Sequence, residues 1–335
     1  MTGAEVWGRP VRIGVLGCAD IAWRRTLPAM LGEKGVDLVA VASRQAAKAE
    51  RFAERFGCAA VEGYEALLKR DDIDAVYVPL PARMHAEWVG RALEAGKHVF
   101  AEKPLTTEVR ATRELVALAR ASDLVLLENF MFLYHAQHRA VDELVADGAI
   151  GDLRGFSSAF TIPPRPADAV RDSPDSGDAL FEVGVYPIRA AVRFLGPRLE
   201  LVGAALRLDR RTGAVLSGAA QLVRPDDGGT AQLTFGMEHC YRTSYELTGS
   251  CGRLSLDRVF TPPDAYQPVL RLERQAHREE RTLAADAQFP NVVRAFAHAV
   301  RTGDRLEELA TSSVHNAALV EQIRDRAHRV HVEAL

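Results

Sequence analysis

Val11-Arg12-Ile13-Gly14-Val15-Leu16-Gly17-Cys18-Ala19-Asp20-Ile21-Ala22 decides how the rest of the chain is read. An apolar run stops at a glycine, as a strand buried on both faces does, and a helical pattern follows from about Ile21 to Leu31. The turn between them has a GxGxxG-like form in which alanines replace the second and third glycines. Alanine is still small enough for close helix–strand packing, and a helix amino terminus can receive a pyrophosphate. Small-residue turns after strands are common, so the weight rests on its place at the first βα turn. Gly17, Cys18, Ala19, Asp20 and Ile21 are candidate cofactor contacts.

Moving outward, the strand Leu38-Val39-Ala40-Val41-Ala42 ends in Ser43-Arg44. An NAD-binding domain usually carries an acid here for the ribose 2′-hydroxyl. A hydroxyl and a guanidinium suit a 2′-phosphate instead, so Ser43 and Arg44 point to NADP(H). A helix over 45–56, a short strand at 59–61 and a helix over 64–69 follow. Asp74–Pro81 reads as a further buried strand, ending in Leu80 and Pro81, and a helix over 84–95 carries His85, expected as a cofactor neighbour.

His98-Val99-Phe100-Ala101-Glu102-Lys103-Pro104 is the next short strand, and it closes on a charged pair. Pro104 removes a backbone donor and keeps Lys103 out of the helical region, so the strand must end there. Ligands of open parallel sheets bind beyond the carboxyl ends of the strands. Glu102 and Lys103 therefore join the candidate site, with Lys103 aimed at whatever fills the crevice. A helix over 108–121 and a strand over 124–130 complete the alternation. Residues 1–130 read as a doubly wound α/β dinucleotide-binding domain.

Beyond Phe130 the pattern changes. After a helix at 135–147 come strand-like runs at 153–162, 200–208, 214–223, 230–238, 241–248 and 252–256. Asp226-Asp227-Gly228-Gly229 and Gly249-Ser250-Cys251-Gly252 mark hairpins. Two helices, about 289–302 and 312–330, close the chain. Residues 131–335 read as an α+β domain on a large, mostly antiparallel sheet. Within it, Gly177–Pro187 runs from a loop into a helix that puts Glu182 and Tyr186 on one face. Such a pair is usually a half-buried hydrogen bond without chemistry.

The 335 residues exceed ordinary single-domain size, and 47% hydrophobic with 26% charged residues is ordinary globular composition. A net charge of −3 argues against nucleic-acid or membrane partners. Cys18, Cys58, Cys240 and Cys251 have no metal-ligand spacing, so no metal site is expected and a reducing cytoplasm is. No apolar run reaches spanning length, no signal-peptide pattern opens the chain, and residues 1–9 are expected to be loosely held.

Taken together, Gly14-x-x-Gly17, Glu102-Lys103-Pro104 and Glu182-Val183-Gly184-Val185-Tyr186-Pro187 resemble, in order, the signatures of the glucose-fructose oxidoreductase / inositol dehydrogenase / rhizopine-catabolism family. Met131-Phe132-Leu133-Tyr134-His135 resembles the segment linking that family's two domains. The resemblance implies a Rossmann domain followed by an open-faced sheet whose bare side serves a homo-oligomer, a dimer or tetramer. It implies a catalytic Lys103, a proton-transferring Tyr186 where other members carry histidine, and substrate contacts from Glu182, Tyr186 and Lys103. It also implies a tight Lys103–Pro104 turn, expected to be cis. Within the family the resemblance is closest to the deoxysugar C-3 ketoreductases of antibiotic glycosylation, which implies NADPH-dependent reduction of the 3-keto group of a dTDP-3,4-diketo-2,6-dideoxyhexose. With an ordinary pKa of about 10, Tyr186 needs the Lys103 ammonium beside it to act well as the acid. The reverse assignment of the two stays open. So do two other functions: a dehydrogenase of a free sugar or trans-dihydrodiol, and a cofactor-sensing regulator.

Overall fold

The structure is a computed structural model, and it describes residues 9–164 and 178–333. The expected loose terminus lies outside them except for Arg9, as does Gly177. The chain divides into two compact units. The first comprises Met1–Thr106, Arg110–Met131 and Gln288–Thr311; the second comprises Thr107–Val109, Phe132–Ala287 and Ser312–Leu335.

In the first unit, β1 (Val11–Leu16), β2 (Val36–Ser43), β3 (Ala59–Glu62), β4 (Ala75–Val78), β5 (His98–Glu102) and β6 (Leu126–Asn129) form one parallel sheet. Its order is β3-β2-β1-β4-β5-β6, so the strand order reverses between β1 and β4. Val76, Tyr77, Val99 and Phe100 are wholly buried, because helices cover both faces and no polar alternation is needed. The sequence reading assigns the helix near 289–302 to the second domain. Gln288–Thr302 instead belongs to this unit, where Phe296 stacks on Phe100 at 5.3 Å and Arg294 pairs with Glu33 at 2.9 Å.

The helix after β1 is not regular: a π-helical turn, Ala22–Thr26, precedes the α-helical Leu27–Leu31. Pro28 has no amide to give the carbonyl four residues back, which leaves that register free to widen. The second unit repeats the device, with a π-helical turn at Leu180–Gly184 leading into the helix Val185–Leu195, which contains Pro187.

The second unit is built on a nine-stranded mixed sheet: β7 (Leu153–Thr161), β8 (Glu200–Asp209), β9 (Val215–Val223), β10 (Thr230–Gly236), β11 (Arg242–Gly249), β12 (Arg253–Asp257), β13 (Val269–Arg274), β14 (His277–Thr282) and β15 (His328–Val332). Most pairs are antiparallel; β7–β10 and β8–β15 are parallel. One face carries Phe156, Phe160, Leu233, Phe235, Tyr245 and Leu254 inward, against the helix Val185–Leu195. The other presents Ser157, Gln221, Gln232, Thr234 and Thr248 to solvent.

Two expectations are corrected here. The last helix runs Glu307–Arg326 and stops short of 330, because His328-Arg329-Val330-His331-Val332 pairs as β15 along β8. The β13–β14 hairpin is absent from the sequence reading. Its arginines and glutamates point to both faces, and it turns at Gln275 (φ +40°) without a glycine or asparagine.

Candidate active site

The cofactor side is built at the carboxyl ends of β1, β2, β4 and β5. Gly17 has φ +119°, and a Cβ there would stand 2.8 Å from Leu80 Cδ2. A side chain would therefore both strain the turn and displace Leu80, which leaves the backbone open to close approach. The Gly17 amide donates to the Ala42 carbonyl at 2.9 Å and fixes the turn against β2. Cys18, Ala19 and Ile21 are partly exposed and Asp20 fully so. An unpaired carboxylate at a helix start would repel a pyrophosphate, but Arg24 donates to Asp20 at 2.6 Å and neutralises it. Burial pushes the Cys18 thiol up to about 11, so it stays protonated and donates to the Lys48 carbonyl at 3.5 Å. Ser43 Oγ accepts the Gln45 amide at 3.1 Å, and Arg44 is exposed. Narrow backbone at Gly17, a hydroxyl and an arginine at the end of β2, and no acid there fit a dinucleotide with a 2′-phosphate.

Beyond β5 the chain is held by hydrogen bonds together with the burial of Pro104 and Leu105. The Lys103–Pro104 bond is cis. His85, wholly buried, faces the Leu80 carbonyl with Nε2 at 2.6 Å and the Pro104 carbonyl with Nδ1 at 2.8 Å. Both ring nitrogens face backbone carbonyls; burial lowers its pKa, and the neutral ring donates its one N–H to one of the two. The expectation for His85 is corrected accordingly: it offers no ring atom to a cofactor and instead braces the loops after β4 and β5. Glu128 accepts the Leu105 amide at 2.8 Å, and Thr106 and Thr112 join hydroxyls at 2.7 Å. Glu102 Oε1 accepts from the Tyr77 hydroxyl at 2.6 Å and from Asn129 Nδ2 at 2.7 Å, and Thr26 lies 2.9 Å from the same hydroxyl. Tyr77, Asn129 and Glu128 were not read as site residues. They lie on the strands flanking β5, and the register that brings them there follows from neither strand alone.

Tyr186 belongs to the second unit, on the first turn of the helix Val185–Leu195. Asp178 caps the approach, its Oδ1 accepting the Leu180 amide at 2.9 Å; burial raises its pKa, against the pull of those backbone bonds. Tyr186 is 5% exposed among Phe132 (5.9 Å), Phe160 (5.1 Å) and Phe260 (5.6 Å), measured between ring centroids. Glu182 is partly buried within the π-helical turn. A widened turn shifts the helical phase, so sharing one face does not follow from the spacing of four alone. Among the described residues no cluster of histidine, cysteine and acid could hold a metal ion.

A parallel dinucleotide-binding sheet with a strand-end lysine, and an open-faced sheet packed on a helix that carries a caged tyrosine, define a class of two-domain nicotinamide oxidoreductases. Residues 11–130 match the oxidoreductase family with an NAD-binding Rossmann fold, and residues 138–255 match the GFO/IDH/MocA C-terminal domain; the chain belongs to this family. It is 54% identical over 323 residues, 96% of this chain and 97% of the relative, to the dTDP-3,4-didehydro-2,6-dideoxy-alpha-D-glucose 3-reductase of Actinomadura kijaniata. A protein of the same name from Streptomyces antibioticus is 52% identical over 93% of this chain and 96% of its own length. Among solved structures, the 3-ketoreductase KijD10 of Actinomadura kijaniata with NADP and TDP-benzene superposes with a TM-score of 0.92 at 54% identity, covering 97% of this chain and all of the other.

Proposed function

We propose that this chain is an NADPH-dependent sugar 3-ketoreductase, reducing the C-3 ketone of a dTDP-3,4-diketo-2,6-dideoxyhexose in antibiotic deoxysugar biosynthesis. The observation that carries the reading is the end-to-end identity of more than half with a relative named for that reaction. The hydroxyl and arginine at the end of β2 support the choice of NADPH. Gly17, Cys18, Ala19, Asp20, Ile21, Ser43, Arg44, Leu80 and Pro81 would hold the dinucleotide, with the backbone of Glu102 and Lys103 beside it.

A bound NADPH supplies hydride chemistry at the carbonyl carbon. As charge develops on the ketone oxygen, Tyr186 gives it a proton and the Lys103 ammonium stabilises the oxyanion. The same ammonium favours the phenolate left behind, which lowers the barrier for a phenol acting as an acid. Glu182 serves as an acceptor for a sugar hydroxyl. The enzyme works in the cytoplasm as a homo-oligomer joined through the exposed face of the nine-stranded sheet. Four free cysteines are consistent with that compartment, and among the described residues no helix is long and apolar enough to cross a membrane.

The test is NADPH consumption by the purified protein, with the product's stereochemistry assigned, on a dTDP-linked 3,4-diketo sugar and on free aldoses and trans-dihydrodiols. Turnover confined to the dTDP-linked ketone is expected. Turnover of free sugars alone would move the reading to a catabolic dehydrogenase, and none with any carbonyl substrate would leave a cofactor-binding regulator.

A further inference from the structure

Tyr77 is wholly buried on β4, with its ring 5.1 Å from that of Phe100 on β5. Its hydroxyl donates to Glu102 Oε1 at 2.6 Å, and Asn129 Nδ2, from β6 on the other side, donates to the same oxygen at 2.7 Å. The phenol has one proton and gives it to the carboxylate. Thr26, 2.9 Å away in the π-helical turn after β1, therefore donates to the phenol oxygen. Thr26 and Asn129 are buried as well. A buried donor without an acceptor is costly, so the three side chains together keep Oε1 where it is. Glu102 itself is only partly buried. Among the described residues nothing bonds to its Oε2, which is not a buried atom.

The cofactor reading puts the pyrophosphate at the Gly17 turn and the adenosine 2′-phosphate at Ser43 and Arg44, on the β2 side of the point where the strand order reverses. The other nucleoside then crosses to the ends of β4 and β5, where Glu102 stands. A carboxylate oxygen accepts hydrogen bonds, and a ribose offers it two hydroxyls. An acceptor already oriented has little rotamer freedom left to lose on binding, and affinity gains by that much. We propose that Tyr77 is a positioning residue for the cofactor: by holding Oε1 of Glu102 it presents Oε2 to a hydroxyl of the ribose on the nicotinamide side. The inference rests on the reading of this sheet as the NADPH site with Glu102 beside the dinucleotide.

The experiment titrates the full chain with NADPH and with adenosine 2′,5′-bisphosphate, which carries the adenosine and its phosphates but no second ribose. Tyr77→Phe keeps the ring against Phe100 and removes one oxygen. It is expected to weaken NADPH about three- to tenfold while leaving the bisphosphate within about twofold. Asn129→Ala removes the other donor to Oε1 and should discriminate between the two ligands in the same way. In a Glu102→Ala background Tyr77→Phe should add nothing. Equal weakening of both ligands would make Tyr77 a support of the fold alone and overturn its role. So would unchanged NADPH binding, or the same loss once Glu102 is gone. Unchanged NADPH affinity in Glu102→Ala alone would instead overturn the placement of Glu102 beside the dinucleotide.

Discussion

Lys103 and Tyr186 are held in opposite ways. The turn carrying Lys103 is fixed by polar bonds to its backbone: His85 at the Pro104 carbonyl and Glu128 at the Leu105 amide. Tyr186 is fixed by its own ring, caged by three phenylalanines in the second unit. The first arrangement sets where a long cationic side chain starts. The second immobilises the whole side chain and leaves only the hydroxyl to act. A proton donor needs a fixed distance to its acceptor, whereas electrostatic stabilisation falls off slowly with distance and tolerates a mobile ammonium.

The sharpest probe of this contrast is Tyr186. Tyr186→Phe should lower kcat by about 10²–10⁴ if the tyrosine is the acid, with the melting temperature unchanged because the cage still closes on a ring. Tyr186→Ala should be as inactive and also lose about 3–5 kcal/mol of stability. Wild-type turnover by the Phe variant would remove Tyr186 as the acid. Equal stability of the Phe and Ala variants would remove the cage as its anchor.

On the polar side, Lys103→Ala should lower kcat by at least ~10² with little change in NADPH affinity or melting temperature, as expected for an interaction made in the transition state. A loss of stability comparable to that of Tyr186→Ala would mean that Lys103 is packed rather than poised, and the contrast would fail. A smaller effect belongs to the far end of the cofactor. Arg44→Ala should weaken NADPH by about 1.5–3 kcal/mol and leave NADH nearly untouched, measured by titration of both.

The first unit was largely legible because its strands are buried on both faces: continuous apolar runs such as 75–78 and 99–101 are hard to mistake, and each ends in glycine, proline or a charge. Lys103 and Tyr186 were singled out from their place at a strand end and on a helix, with a family resemblance needed to give Tyr186 a chemical role. Side chains whose meaning depends on a neighbouring strand were not legible. Tyr77 and Asn129 meet Glu102 only through the β4–β5–β6 register, and His85 looks like an ordinary helix residue until the Pro104 carbonyl arrives beside it. The edges of the second sheet were obscured for another reason. In β14, His277-Arg278-Glu279-Glu280-Arg281 puts charge on both faces, so the period of two that marks a half-buried strand is absent there, and in β13 it is confined to Leu270 and Leu272, alternating with Arg271 and Glu273.

The smallest expected effect is on acid stability, and it too separates the two units. His138 is wholly buried in the second, with Nδ1 2.8 Å from the Tyr245 hydroxyl and Nε2 3.2 Å from the Val259 carbonyl. A neutral ring satisfies both partners, accepting from the phenol and donating to the carbonyl. Burial, aided by the charge of Arg193, holds its pKa well below the ordinary 6.5. His135 accepts the Gln137 amide through Nδ1 and is lowered by burial as well. For such groups the unfolded chain binds the proton first. Their stabilisation is therefore complete above the unfolded pKa and is lost as pH falls below it towards the folded value. Below pH 6.5, His138 should therefore cost stability progressively as pH falls. With Trp7 replaced by phenylalanine, tryptophan fluorescence comes from Trp23 and Trp88 and reports the first unit, while amide exchange on β11 reports the second. Between pH 7.5 and 5.5, the protection factors of Tyr245 and its neighbours, corrected for the slower intrinsic exchange at lower pH, should fall before the fluorescence moves. His85 and His98, also lowered by burial, give the first unit an acid sensitivity of its own. A fluorescence change that led the exchange would place the weaker unit on the polar side and reverse the contrast drawn from Lys103 and Tyr186.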